Sequence, residues 1–406
     1  MNAAETHETF RRESGMRYQH LSSSPGSGEH CSTPSRSGPH RLTADGRDGT
    51  HPAALCRVAK ALTSSRPRRR SATIYEVARR AGVSIATVSR VHRNADLVAP
   101  ATRERVHRAV AALDYRPSRL GRSLVHGHHD ATGIVFPDLS GPYYSAVILG
   151  YEEASAAEGQ SVLILATHRR AASAKQVLDL ADRVDGIVLF GRTVDDEVVE
   201  ALVRRRVPVV LVARPIAGNS DSVRTQSRST AEALTVHLFE HGYERVAYLG
   251  DPHASPDAAE RWQGFLDAHR AARHRRWRPA IACGFREEDG RAAASVLFAD
   301  RDRPDAIVCA NDEIAMGVLV AARAAGLTVP DDLAVTGWDD IPAARHLAPP
   351  LTTVRQPMLD LGRRAAEILR DRITTHRIEP LHELLPTELV VRSSCGCSYH
   401  TKEAEE

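Results

Sequence analysis

The sequence predicts an α/β protein: an N-terminal all-α helix-turn-helix domain followed by a two-lobed body of doubly wound parallel sheets. Three observations point there. Between Thr73 and Leu113 three short helical patterns follow one another, the first two joined at a glycine. From Thr132 onward, short apolar runs alternate with amphipathic helical stretches. The charge is also split. Residues 1–70 hold 12 Arg and Lys against 6 Asp and Glu, residues 71–126 hold 10 against 4, and the remainder is −9 within a chain of net +3. A basic end on an acidic body suits a polyanionic partner at one end only.

Residues 1–70 are rich in Ser, Gly, Pro, His and Arg, as in Ser22–Gly28 and Arg66–Arg70. They offer too little apolar surface to offset the entropy of ordering, so we read a disordered basic extension, with a brief helix possible over Ala53–Leu62. A basic arm adding sequence-indifferent DNA affinity is the alternative. Thr73 with Glu76 fits a capping box, and Ile74, Val77 and Ala78 share one helical face. Gly82 permits the left-handed turn that ends this helix. Ser84 can cap a second helix, from Ile85 to about His92, and a third runs from about Ala101 to Leu113 with Val106, Val110 and Leu113 inward.

In the body, the runs Gly133–Phe136, Val162–Leu165, Gly186–Phe190, Val207–Val212, Arg245–Leu249, Ala306–Cys309 and Leu333–Val335 read as strands. Unbroken apolar runs, rather than alternating ones, mark parallel strands covered on both faces. Roughly 280 residues exceed one comfortable core, so two lobes with a cleft are expected.

Several functions find no signature. There is no run of eighteen apolar residues, no apolar core of an export signal, no Gly-rich phosphate cradle and no Gly-x-Ser-x-Gly elbow. No catalytic residue and no cofactor are assigned, and the chain is read as a non-enzyme. Six scattered cysteines fit a reducing cytoplasm. Cys395-Gly396-Cys397 has only His400 nearby as a further ligand, so we assign no metal and read these as incidental tail cysteines. Lysines number only three, so the Arg excess is compositional and a lone Arg weighs little.

The ordered motifs resemble one family. Thr73–Ala78, Ala81–Ser84, Thr87–Val91, Thr102–Val106 and Leu113–Pro117 are similar to the DNA-binding domain of lactose/galactose-repressor-type regulators. Ser118–Leu124 resembles their hinge helix. Gly133–Asp138, Arg261–Phe265, Cys309–Ala315, Val335–Asp340 and Pro349–Pro357 resemble their periplasmic-binding-protein-like body. The likeness spans residues 72–394. It implies a helix-turn-helix domain over 71–116, a hinge helix over 117–127, an effector-binding and dimerisation domain over 128–394 and a tail over 395–406.

The resemblance also implies roles. Ile85, Ala86 and Arg90 occupy base-reading positions, with Arg90 suited to guanine and the two apolar residues to a thymine methyl. Burial in the domain core is the alternative for Ile85. Thr73, Ser84, Thr87, Ser89 and Arg93 suit phosphate contacts, and helix capping is the alternative for the hydroxyls. Leu124 matches a leucine that wedges into the minor groove; an apolar stripe on a linker helix is the other reading. His92 and Arg93 stand where the family has Leu-Asn, Ala99 where Ser often caps the third helix, and Gly121 is a poor helix former. In the cleft, Asp138, Arg261, Asn311 and Asp339 would hold an effector's polar groups, and Tyr143, Tyr144, Phe285 and Trp338 would pack against its ring. Gln226-Ser227 replaces a frequent Asp-Asn contact. A sugar is the expected effector, with a purine-type ligand as the alternative. Operator DNA bound by a homodimer completes the partners, the dimer favoured over a tetramer because no C-terminal leucine heptad appears. Repressor is favoured over activator, and the residues leave open whether the effector releases DNA or tightens the grip.

Overall fold

The structure is a computed structural model and describes residues 72–93, 97–115, 128–168, 170–273 and 279–397. The first three helices are α1 (Ile74–Ala81), α2 (Ile85–Arg93) and α3 (Pro100–Leu113). The capping box forms: the Thr73 amide donates to the Glu76 carboxylate at 2.7 Å, and the Glu76 amide donates to Thr73 Oγ1 at 3.4 Å. Gly82 follows α1 with φ +64, a conformation that glycine enters without strain. Ser84 Oγ accepts from the Thr87 amide at 3.1 Å and so caps α2. Ala99 makes no side-chain cap, and Pro100, whose ring pre-sets the helical φ, occupies the first turn of α3. Val77, Ala78, Val88, Val91, Val106 and Ala109 close a small core, with Val110 and Leu113 at its margin.

The first lobe is a six-stranded sheet of β1 (Ala131–Phe136), β2 (Ser161–Ala166), β3 (Ile187–Phe190), β4 (Val209–Val212), β5 (Asp221–Thr225) and β10 (His382–Leu385). Their order is β10-β5-β4-β3-β1-β2, and every pair is parallel. Alternate residues point to opposite faces, and both faces are apolar. Ile134, Val188 and Val210 pack with residues of α4 (Pro142–Ala157) and α11 (Met358–Thr375). Val135, Leu189 and Leu211 pack with α5 (Ser173–Ala181) and α6 (Asp196–Arg204).

The second lobe holds β6 (Val246–Leu249), β7 (Ala306–Cys309) and β8 (Ala334–Thr336), all parallel. Around them lie α7 (Arg228–Glu240), α8 (Pro256–Ala271), α9 (Glu287–Phe298) and α10 (Asp312–Ala324). An antiparallel pair, β9 (Thr353–Arg355) with β11 (Glu388–Val390), adds the one departure from parallel pairing in the described sheets. The chain crosses between lobes after β5, after β9 and after β10. Thr225 Oγ1 on the first crossing donates to Gln356 Oε1 on the second at 2.8 Å. Thr387 Oγ1 on the third donates to the Gln226 carbonyl on the first at 2.6 Å.

Four strands, β5, β9, β10 and β11, lack the apolar runs by which strands were read from sequence. In β5 the fully buried Asp221 carboxylate accepts from the Leu381 amide at 2.6 Å and pairs with Arg377 at 3.0 Å, so a polar strand becomes internal only through partners distant in sequence. A body ending at 394 is also corrected. Cys395 is fully buried in the second lobe's core and Cys397 packs against it, so neither is an incidental tail cysteine. The expected disordered extension, the helix over Ala53–Leu62, the hinge helix with Gly121 and Leu124, and His400 lie outside the described residues.

Candidate nucleic-acid interface and effector cleft

On α2, burial separates two faces. Val88 and Val91 point into the core. Ile85, 38% exposed, together with Ala86 and Arg90 points to solvent. Ile85 is therefore not a core residue, and its apolar side chain is available to a groove. Ser84 and Thr87 place their hydroxyls 2.9 Å apart at the start of the helix, so the free protein uses Ser84 as a cap. Thr73 is exposed and engaged in its capping box, and Ser89 is half-buried. Arg93 ends α2, with its side chain outside the described residues. One exposed aromatic, Tyr75 on α1, was not singled out from sequence.

The second site is a cleft of about 660 Å³ between the lobes. It lies at the carboxyl ends of the strands, where doubly wound sheets bind ligands. Asp138 follows β1, Asn311 follows β7 and Asp339 follows β8, so three expected residues converge from separate strand ends. Tyr143 and Tyr144 come from the first turn of α4, Arg261 from α8, and Phe285 from the loop before α9; all line the cleft.

Trp338 does not. It is 1% exposed, sits in the second lobe's core and is absent from the lining, which corrects its expected stacking role. Its ring instead underlies Arg261, whose guanidinium carbon lies 4.7 Å from the ring centroid. Arg261 Nη1 donates to the Ala310 carbonyl at 2.6 Å. A cation held between a ring face and a carbonyl is fixed in place by both.

Asp339 and Asp257 are buried beside it. Burial pushes the Asp339 carboxyl up to about 7, against the pull of Arg261 and the hydrogen bond from Gln356. Burial also raises Asp257, again opposed by Arg261. Gln356 Nε2 donates to Asp339 Oδ1 at 2.5 Å, so the carboxyl is tied through Gln356 to the Thr225 crossing. Asp339 carries φ +114, an unfavourable backbone for a residue with a Cβ.

The other expected polar residues are partly committed. Asn311 caps α10, its Oδ1 accepting from the Ile314 amide at 2.9 Å, while Nδ2 donates to the Phe285 carbonyl at 2.9 Å. An amide still has one N–H and one lone pair in reserve. Asp138 accepts from the Leu139 amide at 2.7 Å and from Ser140 Oγ at 3.0 Å. Partial burial opposes ionisation there, yet the Ser140, Leu139 and Arg286 hydrogen bonds hold its pKa below the usual range. Arg286 Nη2, from the second lobe, reaches Asp138 at 3.4 Å and so bridges the cleft mouth.

The first lobe's wall is aromatic. Tyr143, Tyr144 and Phe190 meet edge to face, with centroids 5.5–5.8 Å apart. The Tyr143 hydroxyl is buried without a hydrogen-bond partner, and burial raises its pKa well above the usual value. Asp257, Arg286 and Phe190 were missed from sequence. Asp257 had a signal, since it stands four residues before Arg261 on one helix face. Gln226 donates to Ser229 Oγ at 2.7 Å, and neither it nor Ser227 lines the cleft.

Known proteins resemble both parts of the chain. Residues 73–118 match the family "Bacterial regulatory proteins, lacI family", and residues 235–395 match the periplasmic binding protein-like domain. The transcriptional regulator CelR of Thermobifida fusca is 34% identical over 338 residues, covering 80% of this chain and 99% of that protein. The repressor PurR of Photobacterium profundum is 33% identical, covering 80% and 98%. Among solved structures, the CelR–cellobiose complex aligns with a TM-score of 0.60 at 32% identity, covering 80% and 99%. A lac repressor dimer bound to operator and an anti-inducer aligns with a TM-score of 0.72 at 27% identity, covering 80% and 99%. Among the described residues no helix is long and apolar enough to cross a membrane. The chain belongs to the LacI family of bacterial DNA-binding transcriptional regulators.

Proposed function

We propose that this protein is a repressor that binds a palindromic operator as a dimer and answers to a small polyhydroxylated ring, a sugar, held in the cleft. It acts in the cytoplasm, where its operator is. The observation that carries the reading is the pairing of an aromatic wall with the buried group of Asp257, Arg261 and Asp339. Adjacent hydroxyls bind planar acceptors and donors in pairs, while the apolar face of a sugar ring packs on aromatic carbon. Phe285 joins Tyr143 and Tyr144 on the apolar side, and Asp138 and Asn311 supply further polar contacts.

At the DNA end, Ile85, Ala86 and Arg90 enter the major groove, and Thr73, Ser84, Thr87, Ser89 and Arg93 settle the helix on phosphates. The family resemblance assigns the hinge role to residues 117–127 and the wedge role to Leu124, which lie outside the described residues. The ends communicate by linkage: an effector shifts DNA affinity only as far as it prefers one lobe arrangement over the other. The Thr225–Gln356–Asp339 chain of hydrogen bonds gives a physical route, because an effector that engages Asp339 competes for the bond that ties two crossings together.

Selection of binding sequences from a random DNA pool, with and without a panel of sugars and purines, tests the proposal. A palindromic site with a flexible central step, whose capture changes with one sugar, is expected. Sequence-indifferent binding with every ligand would sink the operator assignment, and a response to purines alone would sink the sugar assignment.

A further inference from the structure

Away from the cleft, the second lobe gathers four side chains that neither role uses. His237 lies in the last turn of α7 and His241 follows four residues later at its end, so both rings leave one side of the helix. Their centroids are 4.4 Å apart. The turn Ser393–Cys395 carries two thiols to them. Cys395 Sγ lies 3.3 Å from His237 Nε2. Cys397 Sγ lies 2.9 Å from His241 Nε2 and 3.7 Å from His237 Nε2. Gly396 has φ +97, and a Cβ there would lie 3.1 Å from the Tyr243 hydroxyl. Glycine therefore lets the turn close with both sulfurs toward α7. The Tyr243 hydroxyl donates to the Cys395 carbonyl at 3.2 Å and pins the turn.

We infer that His237, His241, Cys395 and Cys397 form a binding site for a soft divalent metal ion of the zinc class. The ligand atoms of His237, His241 and Cys397 all lie within 4.8 Å of one another. A tetrahedral zinc with bonds of about 2.3 Å to sulfur and about 2.0 Å to nitrogen separates those atoms by about 3.5 Å. The three N···S distances straddle that value. The tautomer of His241 is also set. Its Nδ1 lies 2.8 Å from the His237 carbonyl, which can only accept, so Nδ1 carries the proton and Nε2 turns its lone pair to the Cys397 sulfur. Fixing a ligating imidazole through its other nitrogen is how metal-binding histidines are oriented. Thr352 Oγ1, 3.1 Å from Cys395 Sγ, steadies that sulfur in the same way.

Two imidazoles and two thiols favour zinc over calcium or magnesium, which demand oxygen ligands. His237, His241 and Cys397 already hold their ligand atoms together, and the Cys395 thiol, 3.3 Å from His237, is placed to close the set as the fourth, which suits a structural ion. The ion joins the end of the body to a helix 158 residues upstream in sequence that begins just after the first crossing. Reading the sequence outward from Cys395 finds only His400; the histidine pair is brought in by folding.

Cobalt titration of the reduced, chelator-treated full chain tests the site, with Co²⁺ as the spectroscopic stand-in for zinc. The expected result is one Co²⁺ per chain, with intense tetrahedral d–d absorption and a thiolate-to-cobalt charge-transfer band, both lost on adding one equivalent of zinc. Cys397→Ser and His241→Ala, at half-buried and exposed positions, should each weaken Co²⁺ binding at least tenfold, and Cys397→Ser should roughly halve the sulfur band, while circular dichroism reports that the chain remains folded. Cys283→Ser, a thiol outside the cluster, should leave the spectrum unchanged. A weak octahedral spectrum without the sulfur band would overturn the proposal. So would a sulfur band undiminished in Cys397→Ser, or a Co²⁺ affinity unchanged in His241→Ala.

Discussion

The two walls of the cleft are chemically unlike. The first lobe offers three rings and one buried hydroxyl. The second offers two buried carboxyls and a guanidinium braced on Trp338. An aromatic wall selects by shape, and its loss is felt in proportion to the contact area removed. A wall of buried polar groups selects by pairing, and a wrong or missing partner costs far more than area suggests. Under the proposed sugar reading the lobes divide the work: one sets which ring fits, the other which pattern of hydroxyls is admitted.

The largest test of that division removes a carboxyl. Removing a buried carboxyl leaves the ligand group it would pair with unsatisfied, at about 1–3 kcal/mol, so Asp339→Ala should weaken the effector about 5- to 150-fold. Operator affinity without effector should hold. Titration calorimetry with the selected sugar checks it, and unchanged affinity would take Asp339 out of the site.

The same carboxyl gives a pH signature. In the folded chain it stays protonated up to about pH 7, whereas an unfolded aspartate ionises near about 3.9. Between those values the folded state holds a proton that the unfolded state has released. Stability therefore falls as pH rises from about 4 to about 7 and levels off above. Asp339→Asn should match the parent below about pH 4 and exceed it at pH 8 by roughly 2–4 kcal/mol in urea melts. A parallel pair of stability curves would mean that the carboxyl is already ionised in the folded state.

A third substitution contrasts the cleft with the exposed DNA end. Arg90→Ala should lose about 1–3 kcal/mol of discrimination at one operator position and leave effector affinity unchanged. Competition binding at fixed salt separates that from a uniform phosphate loss. The aromatic wall gives a smaller effect. Tyr143→Phe removes a partnerless buried hydroxyl and should stabilise the free protein by about 1 kcal/mol. It should also weaken the effector about tenfold, the loss of one hydrogen bond. Stabilisation with undiminished binding would show that the hydroxyl does not touch the ligand. Smallest is Thr73→Ala, which should cost about 1 kcal/mol through the lost cap, read from the thermal melt of the helix-turn-helix segment.

Legibility differed between regions for one reason. The helix-turn-helix signals are local: Thr73 finds Glu76 three residues on, Gly82 needs only its own φ, and Val88 and Arg90 part ways by helical period. The parallel strands were legible because burial on both faces leaves unbroken apolar runs, as in Val209–Val212. β5 was not, because its Asp221 is tolerated inside through Arg372, Arg377 and the Leu381 amide, 151 to 160 residues away. Likewise Trp338 has the composition of a ligand-stacking ring, and only packing put Arg261 above it.

By itself, then, the sequence determined the helix-turn-helix elements, the apolar parallel strands, the two-lobed architecture and four polar residues of the cleft, Asp138, Arg261, Asn311 and Asp339, since each follows from local periodicity or from motifs short enough to read in line. The tertiary structure decided which carboxyls are buried and raised in pKa, which ring faces the cleft and which lies beneath a cation, and that two histidines at the end of α7 meet two cysteines at the far end of the body. Those outcomes depend on desolvation and on distances between residues remote in the chain, and no local pattern encodes either.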